Sequence, residues 1–107
     1  MKPWEVWTAD VGHGSHPVIV VSNTVRVALK PEVVLLTCSS HRSHRPPREH
    51  EVILDETDGL DWPTLCRCDL LYTLTKSKLT QRRGEVSAMR RREIAKRILQ
   101  SLALEGL

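Results

Sequence analysis

Over the first three quarters of the chain, apolar residues alternate with polar ones or form short continuous runs; helical spacing is confined to the end. In "WEVWTA", residues 4–9, Trp4, Val6 and Thr8 alternate with Glu5, Trp7 and Ala9, which predicts a short strand with one half-buried face. The β-branched runs "PVIVVSN" (17–23) and "EVVLLTC" (32–38) have no helical spacing. They predict strands buried on both faces, as in a closed barrel or beneath a dimer interface. "EVIL" (51–54) and "LCRCDLLYTLT" (65–75) are two more strands, the second bent near its middle, and "KSKLTQRRG" (76–84) reverses the chain into a short "GEV" edge.

Between these lie turn chemistries. "GHGSHP" (12–17) is a loop built on glycine and serine, and "DETDGLDWP" (55–63) is an acidic turn. The polar stretch 39–50 contains Pro46 and Pro47, which exclude a regular hydrogen-bond ladder there. Only the C-terminal part reads as a helix: Ser87 is an N-cap, and Ile94, Ala95, Ile98 and Leu102 recur at three- and four-residue spacing. Arg90, Arg91, Arg92, Lys96 and Arg97 fill the opposite face, usually a solvated one, with the charge to meet an acidic partner or RNA. The expected fold is mainly β: a small, strongly bent sheet or barrel of six or so strands with one terminal amphipathic helix.

A length of 107 residues supports one domain, 1–107, burying about 65% of the surface its unfolded chain exposes. A core that thin is often supplemented by a second subunit. The net charge of +3 suits an anionic partner such as nucleic acid without demonstrating one. No apolar run approaches the ~18 residues of a membrane span, and no apolar segment follows the first residues. Three cysteines cannot pair completely, so a reducing cytoplasm is the expected compartment.

The densest chemistry is Cys66-Arg67-Cys68-Asp69. Zinc needs about four nitrogen or sulfur ligands, commonly in paired spacings, and here one C-x-C stands with a distant Cys38, so zinc is disfavoured. Strand alternation sets the cysteines on one face as small buried residues and Arg67 with Asp69 on the other. There the pair can meet one phosphodiester, or it is a surface ion pair worth ~0–1 kcal/mol. His41, Arg42, His44, Arg45 and Arg48 form a basic loop able to follow a phosphate backbone, or simply a solvated one. Trp4, Trp7, Trp62 and Tyr72 offer faces for base stacking, although tryptophans in so small a domain are usually core or interface residues.

"WEVWTADVG", "HPVIVVSN", "VVLLTCS" and "RCDLLYTLTKSKL", in that order and before a terminal helix, resemble the MazF/PemK toxins. The resemblance spans nearly the whole chain. It implies an SH3-like barrel with a C-terminal helix, a homodimer, and a toxin of a type II toxin–antitoxin system. The implied activity is a metal-independent, cofactor-free endoribonuclease that cuts single-stranded RNA, usually mRNA, at short sequence motifs. A cognate antitoxin with a flexible acidic tail would block its RNA groove.

Such cleavage needs a base for the ribose 2′-OH, charge stabilisation at phosphorus, and an acid for the 5′-oxygen. The resemblance carries catalytic roles onto Arg67 and Asp69, and a phosphate- or base-binding role onto Thr37. Ser39, Arg42, Arg45, Arg48, Thr73 and Lys76 are the RNA-binding residues expected with them. The family's arginine before the proline of "PVLVVSN" is replaced by His16, and His13 lies in a shortened loop. Either His16 and His13 perform the acid–base work while Arg67 holds the phosphate, or the chain is a weak or inactive relative. The rival functions are therefore a non-catalytic protein binder of CcdB type and a simple nucleic-acid-binding module, which one fold can host equally.

Overall fold

The computed structural model describes residues 1–41, 45–104 and 106–107. Among them, six strands form one antiparallel sheet: β1 (Glu5–Asp10), β2 (Ser15–Val20), β3 (Glu32–Ser40), β4 (Glu51–Leu54), β5 (Thr64–Thr75) and β6 (Leu79–Glu85). Their order is β4-β5-β3-β2-β1-β6. The expected mainly β fold with a terminal helix is the observed one. The sheet is not closed, because its outer strands β4 and β6 are not hydrogen-bonded to each other.

The strands that read as buried on both faces divide the core in two. Val6, Ile19, Leu36, Val52, Leu54, Cys66 and Cys68 point to one side, where helix α2 (Ala88–Ser101) seats its fully buried Ile94. Burying that side chain contributes about 2 kcal/mol. Val18, Val20, Val33 and Leu35 point to the other side with Ala9 and Leu79. There Val27 descends from a short helix, α1 (Thr24–Leu29), which the sequence reading overlooked. Asn23 caps α1 by accepting from the Arg26 N–H (2.9 Å). The strand-favouring Val25 and Val27 hide so short a helix from periodicity.

Other boundaries also move. The expected "GEV" edge is a strand reaching back to Leu79, so most of 76–84 pairs with β1 rather than turning. β3 runs two residues beyond Cys38, to Ser40. In β1, Glu5 is buried, and its carboxylate accepts from Arg82 Nε (2.5 Å), Trp7 Nε1 (3.2 Å) and the Lys2 N–H (2.7 Å).

The acidic stretch acts as a clamp across the open side of the sheet. Asp55 caps a 3-10 turn (Glu56–Asp58), and the fully buried Asp58 accepts from the Asp55 N–H (3.0 Å) and from the Ser87 N–H (3.1 Å) that starts α2. Ser87 thus occupies the N-cap position without a side-chain cap bond of its own. Arg90 closes the clamp, reaching Asp58 and gripping Asp55 through both terminal nitrogens (2.9 and 3.0 Å). Its guanidinium holds the Asp55 carboxyl far below the usual carboxylate range. Gly59 then passes β6 at backbone contact: a Cβ there would lie 2.3 Å from the Arg83 carbonyl oxygen.

Candidate active site

A bulge in β5 builds the candidate site. Leu36 of β3 pairs with Leu71 and Cys38 pairs with Cys66, so Thr37 alone faces the four residues 67–70. Three residues of β5 are in excess there, and the irregularity falls where the sequence suggested a bend. From Cys66 into this interval alternation holds: Cys66 and Cys68 are buried, Arg67 and Asp69 exposed. All three cysteines are unbridged. Hydrogen bonding with the Cys38 and Cys68 thiols, with burial added, pushes the Cys66 thiol well above its ordinary value and keeps it protonated.

Arg67 and Asp69 form a two-pronged pair, Nε to Oδ1 at 3.3 Å and Nη2 to Oδ2 at 3.2 Å. Partial burial works to raise the Asp69 pKa, but the Arg67 hydrogen bonds and charge prevail and the net shift is downward. Asp69 is therefore an anion at neutral pH, an acceptor rather than a proton donor.

From this pair the chain presents two sides. On one, His13 from the β1–β2 loop, His16 of β2, which begins earlier than the expected loop allowed, Thr37 and Ser39 of β3, and Arg67 line a hollow of about 210 Å³ with Val11, Leu70 and Tyr72. The two imidazoles lie 5.1 Å apart, centroid to centroid. On the other side, Asp69 faces His50, with 4.0 Å between Oδ2 and Nε2. His50 was not singled out in the sequence, because only the pairing of Glu51 with Arg67 brings the end of its loop to β5.

Four of the five expected catalytic residues thus share one hollow, with Ser39 beside them. Asp69 stands outside it, joined through Arg67. The expected RNA-binding set is more scattered. Thr73 pairs with Val34, on the far side of the bulge, and does not line the hollow. Lys76 donates from Nζ to the Val27 carbonyl oxygen (2.8 Å) and closes the C-terminal end of α1. Arg45 is engaged by Glu51 at 2.8 and 3.1 Å, while the Arg48 backbone N–H donates to the same carboxylate (2.8 Å). Arg42 and His44 lie outside the described residues.

A second hollow of about 250 Å³ adjoins the first, since His16 lines both. Ser15, Ser40, Trp62 and Arg83 line it as well; the sequence reading held Trp62 only as one of four aromatics with a face for base stacking and gave Arg83 no part in the site. Their convergence depends on the 55–61 segment meeting β6, which no local pattern announces.

The fold is similar to those of several solved structures. An endoribonuclease in complex with its cognate antitoxin, from a mycobacterial species, superposes with a TM-score of 0.86 at 24% identity, covering 100% of this chain and 99% of that one. The Mycobacterium tuberculosis toxin MazF-mt6 gives 0.83 at 20% identity, covering 94% and 98%. A MazE–MazF structure from Deinococcus radiodurans gives 0.78 at 16%, covering 98% and 97%. Comparison with curated proteins finds no significant match. The family model of the PemK-like, MazF-like toxin of type II toxin–antitoxin systems matches residues 2–102. With nearly its whole length under that model, the chain belongs to the PemK-like, MazF-like toxin family.

Proposed function

We propose that this toxin is an endoribonuclease that cuts single-stranded RNA, mRNA included, at short sequence motifs by attack of the ribose 2′-OH on the adjacent phosphorus, without a metal. The observation that carries the reading is the convergence of His13, His16, Thr37 and Arg67 on one hollow. Arg67 offers a fixed cation to the phosphate, and Asp69, ionised and two-pronged, orients that cation. Thr37 donates its hydroxyl to a non-bridging oxygen.

Proton transfer falls to His13 and His16, which line the hollow, whereas Asp69, held in its charged form, has no proton to give and stands outside it. One imidazole accepts the 2′-OH proton while the P–O5′ bond breaks, and the other protonates the departing 5′-oxygen. The products are a 2′,3′-cyclic phosphate and a 5′-hydroxyl, and no protein nucleophile is consumed. His16 in the place of the family's arginine makes this division the natural one: an imidazole moves protons, and Arg67 remains as the permanent charge.

Partners follow the same reading. An antitoxin with an acidic tail would find Arg67 in the groove. A second copy of the chain is favoured by the apolar hollow of about 530 Å³ lined by Trp4, Val21, Leu71, Ala95, Ile98 and Leu99. That hollow is also the observation favouring a protein-binding, non-catalytic role. Purified protein incubated with a long single-stranded RNA and EDTA separates the two. Discrete fragments that disappear with Arg67→Ala support the nuclease, and intact RNA alongside toxicity in cells supports the protein binder.

A further inference from the structure

Trp62 is the most exposed of the aromatic side chains: 55% of its surface faces solvent, in a chain with few aromatics. Exposure of so large an apolar ring has a cost, and nothing in its own segment requires it. The indole N–H, its only polar atom, donates to Ser40 Oγ at 2.9 Å. The Trp62 backbone carbonyl accepts from Thr64 Oγ1 at 2.9 Å. The ring is therefore held in place with its hydrogen-bonding capacity spent, and what remains to offer is a rigid π-face. Beside it, Arg83 lines the same hollow, its guanidinium fixed by Thr8 Oγ1 (3.3 Å) and Asp61 Oδ2 (2.8 Å), which also neutralises Asp61.

This hollow continues the candidate active site past His16, and the two together make a track longer than one phosphodiester. Tyr72, 38% exposed, lines the first hollow. Each of the two adjoining hollows thus has an aromatic ring in its wall. Single-stranded nucleic acid is held in this way: cations follow the backbone and aromatic rings receive unstacked bases. A hollow of about 250 Å³ accommodates a single nucleobase.

We propose that Trp62 is a stacking platform for one base of single-stranded RNA flanking the scissile phosphate, a subsite distinct from the catalytic groups. The inference rests on the nuclease reading and adds the position at which a base outside the cleaved step is gripped. Stacking tolerates every base, so this subsite supplies affinity and register rather than sequence choice.

The test is binding of a fluorescein-labelled, 2′-O-methyl RNA oligonucleotide, which cannot be cleaved, to the wild type and to Trp62→Phe and Trp62→Leu. Each is also measured with a series of single abasic substitutions in the oligonucleotide. Trp62→Leu should weaken binding roughly 5- to 100-fold, and Trp62→Phe should recover most of the loss. One abasic position should weaken the wild type but leave Trp62→Leu little changed, the sign that ring and base act as a pair. Equal affinity of wild type and Trp62→Leu, with RNA cleavage intact, overturns the subsite and leaves the nuclease standing. A wild type that neither binds the oligonucleotide nor cleaves RNA overturns both. Loss in Trp62→Leu with no abasic position responding shows that the ring serves a protein partner instead, and also overturns the proposal.

Discussion

Arg67 holds Asp69 through two hydrogen bonds, Nε to Oδ1 and Nη2 to Oδ2, so an exposed cation lining the His–Thr hollow is oriented before any substrate arrives. A guanidinium set in advance loses little entropy on meeting a phosphate. Arg67→Ala should lower the rate of RNA cleavage by about 10²- to 10³-fold. Arg67→Lys should recover only part of it, because an ammonium cannot keep the fork. Cleavage of a labelled oligoribonucleotide measures both, and a wild-type rate in Arg67→Ala would remove the residue from the mechanism.

Thr37 is the single β3 residue opposite the bulge, with its side chain in the hollow. Thr37→Val keeps the shape and deletes the hydroxyl. The expected loss is about 5- to 30-fold in kcat/KM, the scale of one hydrogen bond to a charged group. Thr37→Ser should stay within a few-fold of wild type.

Acid stability should carry the signature of Glu51. Hydrogen bonding to Arg45 comes first among the causes that bring its pKa from 4.5 down to about 2, with the Arg48 N–H assisting and burial opposing. A folded-state pKa depressed in this way stabilises the protein fully above pH 4.5, and the contribution drains away as pH falls toward 2. Arg45→Gln should therefore lower Tm at neutral pH, with the gap to wild type narrowing through that window. A gap independent of pH would assign the Arg45 effect to packing.

Asp58 is a fully buried carboxylate joining the 3-10 turn, Arg90 and the first N–H of α2. Removing one partner of such a group strands the others. Asp58→Ala should cost about 3 kcal/mol, which for a domain of this size lowers Tm by roughly 12–20 °C. Thermal unfolding followed by circular dichroism reads it, and a shift under a few degrees would show that α2 is held by its apolar stripe alone.

Gly59→Ala meets two obstacles at once: a φ of 89° and a new methyl 2.3 Å from the Arg83 carbonyl oxygen. About 2–5 kcal/mol of destabilisation is expected from strain and overlap combined. Gly12→Ala, at φ 98° with open space around it, should cost only the first part. Equal Tm losses in the two variants would mean the contact with β6 gives way freely.

The parts legible in the sequence were those written in short-range patterns. β-branched runs announced β2 and β3, and the three- and four-residue spacing of Ile94, Ala95 and Ile98 announced α2. Cys66 and Cys68 inside with Arg67 and Asp69 outside followed from alternation alone. What stayed hidden depended on contacts far apart in the chain. Lys76 looked available for RNA until α1, itself concealed by its valines, took the ammonium. Nothing near Glu5 in the chain announced the ion pair that buries it, since Arg82 lies 77 residues away. His50 and Trp62 gained their places only through pairing between strands or meeting of edges.

Because one β3 residue spans four of β5, the loop-like interval 67–70 sits inside a strand whose ends are anchored by Cys66 and Leu71. Its exposed side chains, Arg67, Asp69 and Leu70, can change without emptying the core, whereas Cys68 between them is fully buried. The chemistry of the groove and the integrity of the scaffold are therefore divided between alternate residues of one strand, and relatives built on the same frame are free to diverge in the first while keeping the second.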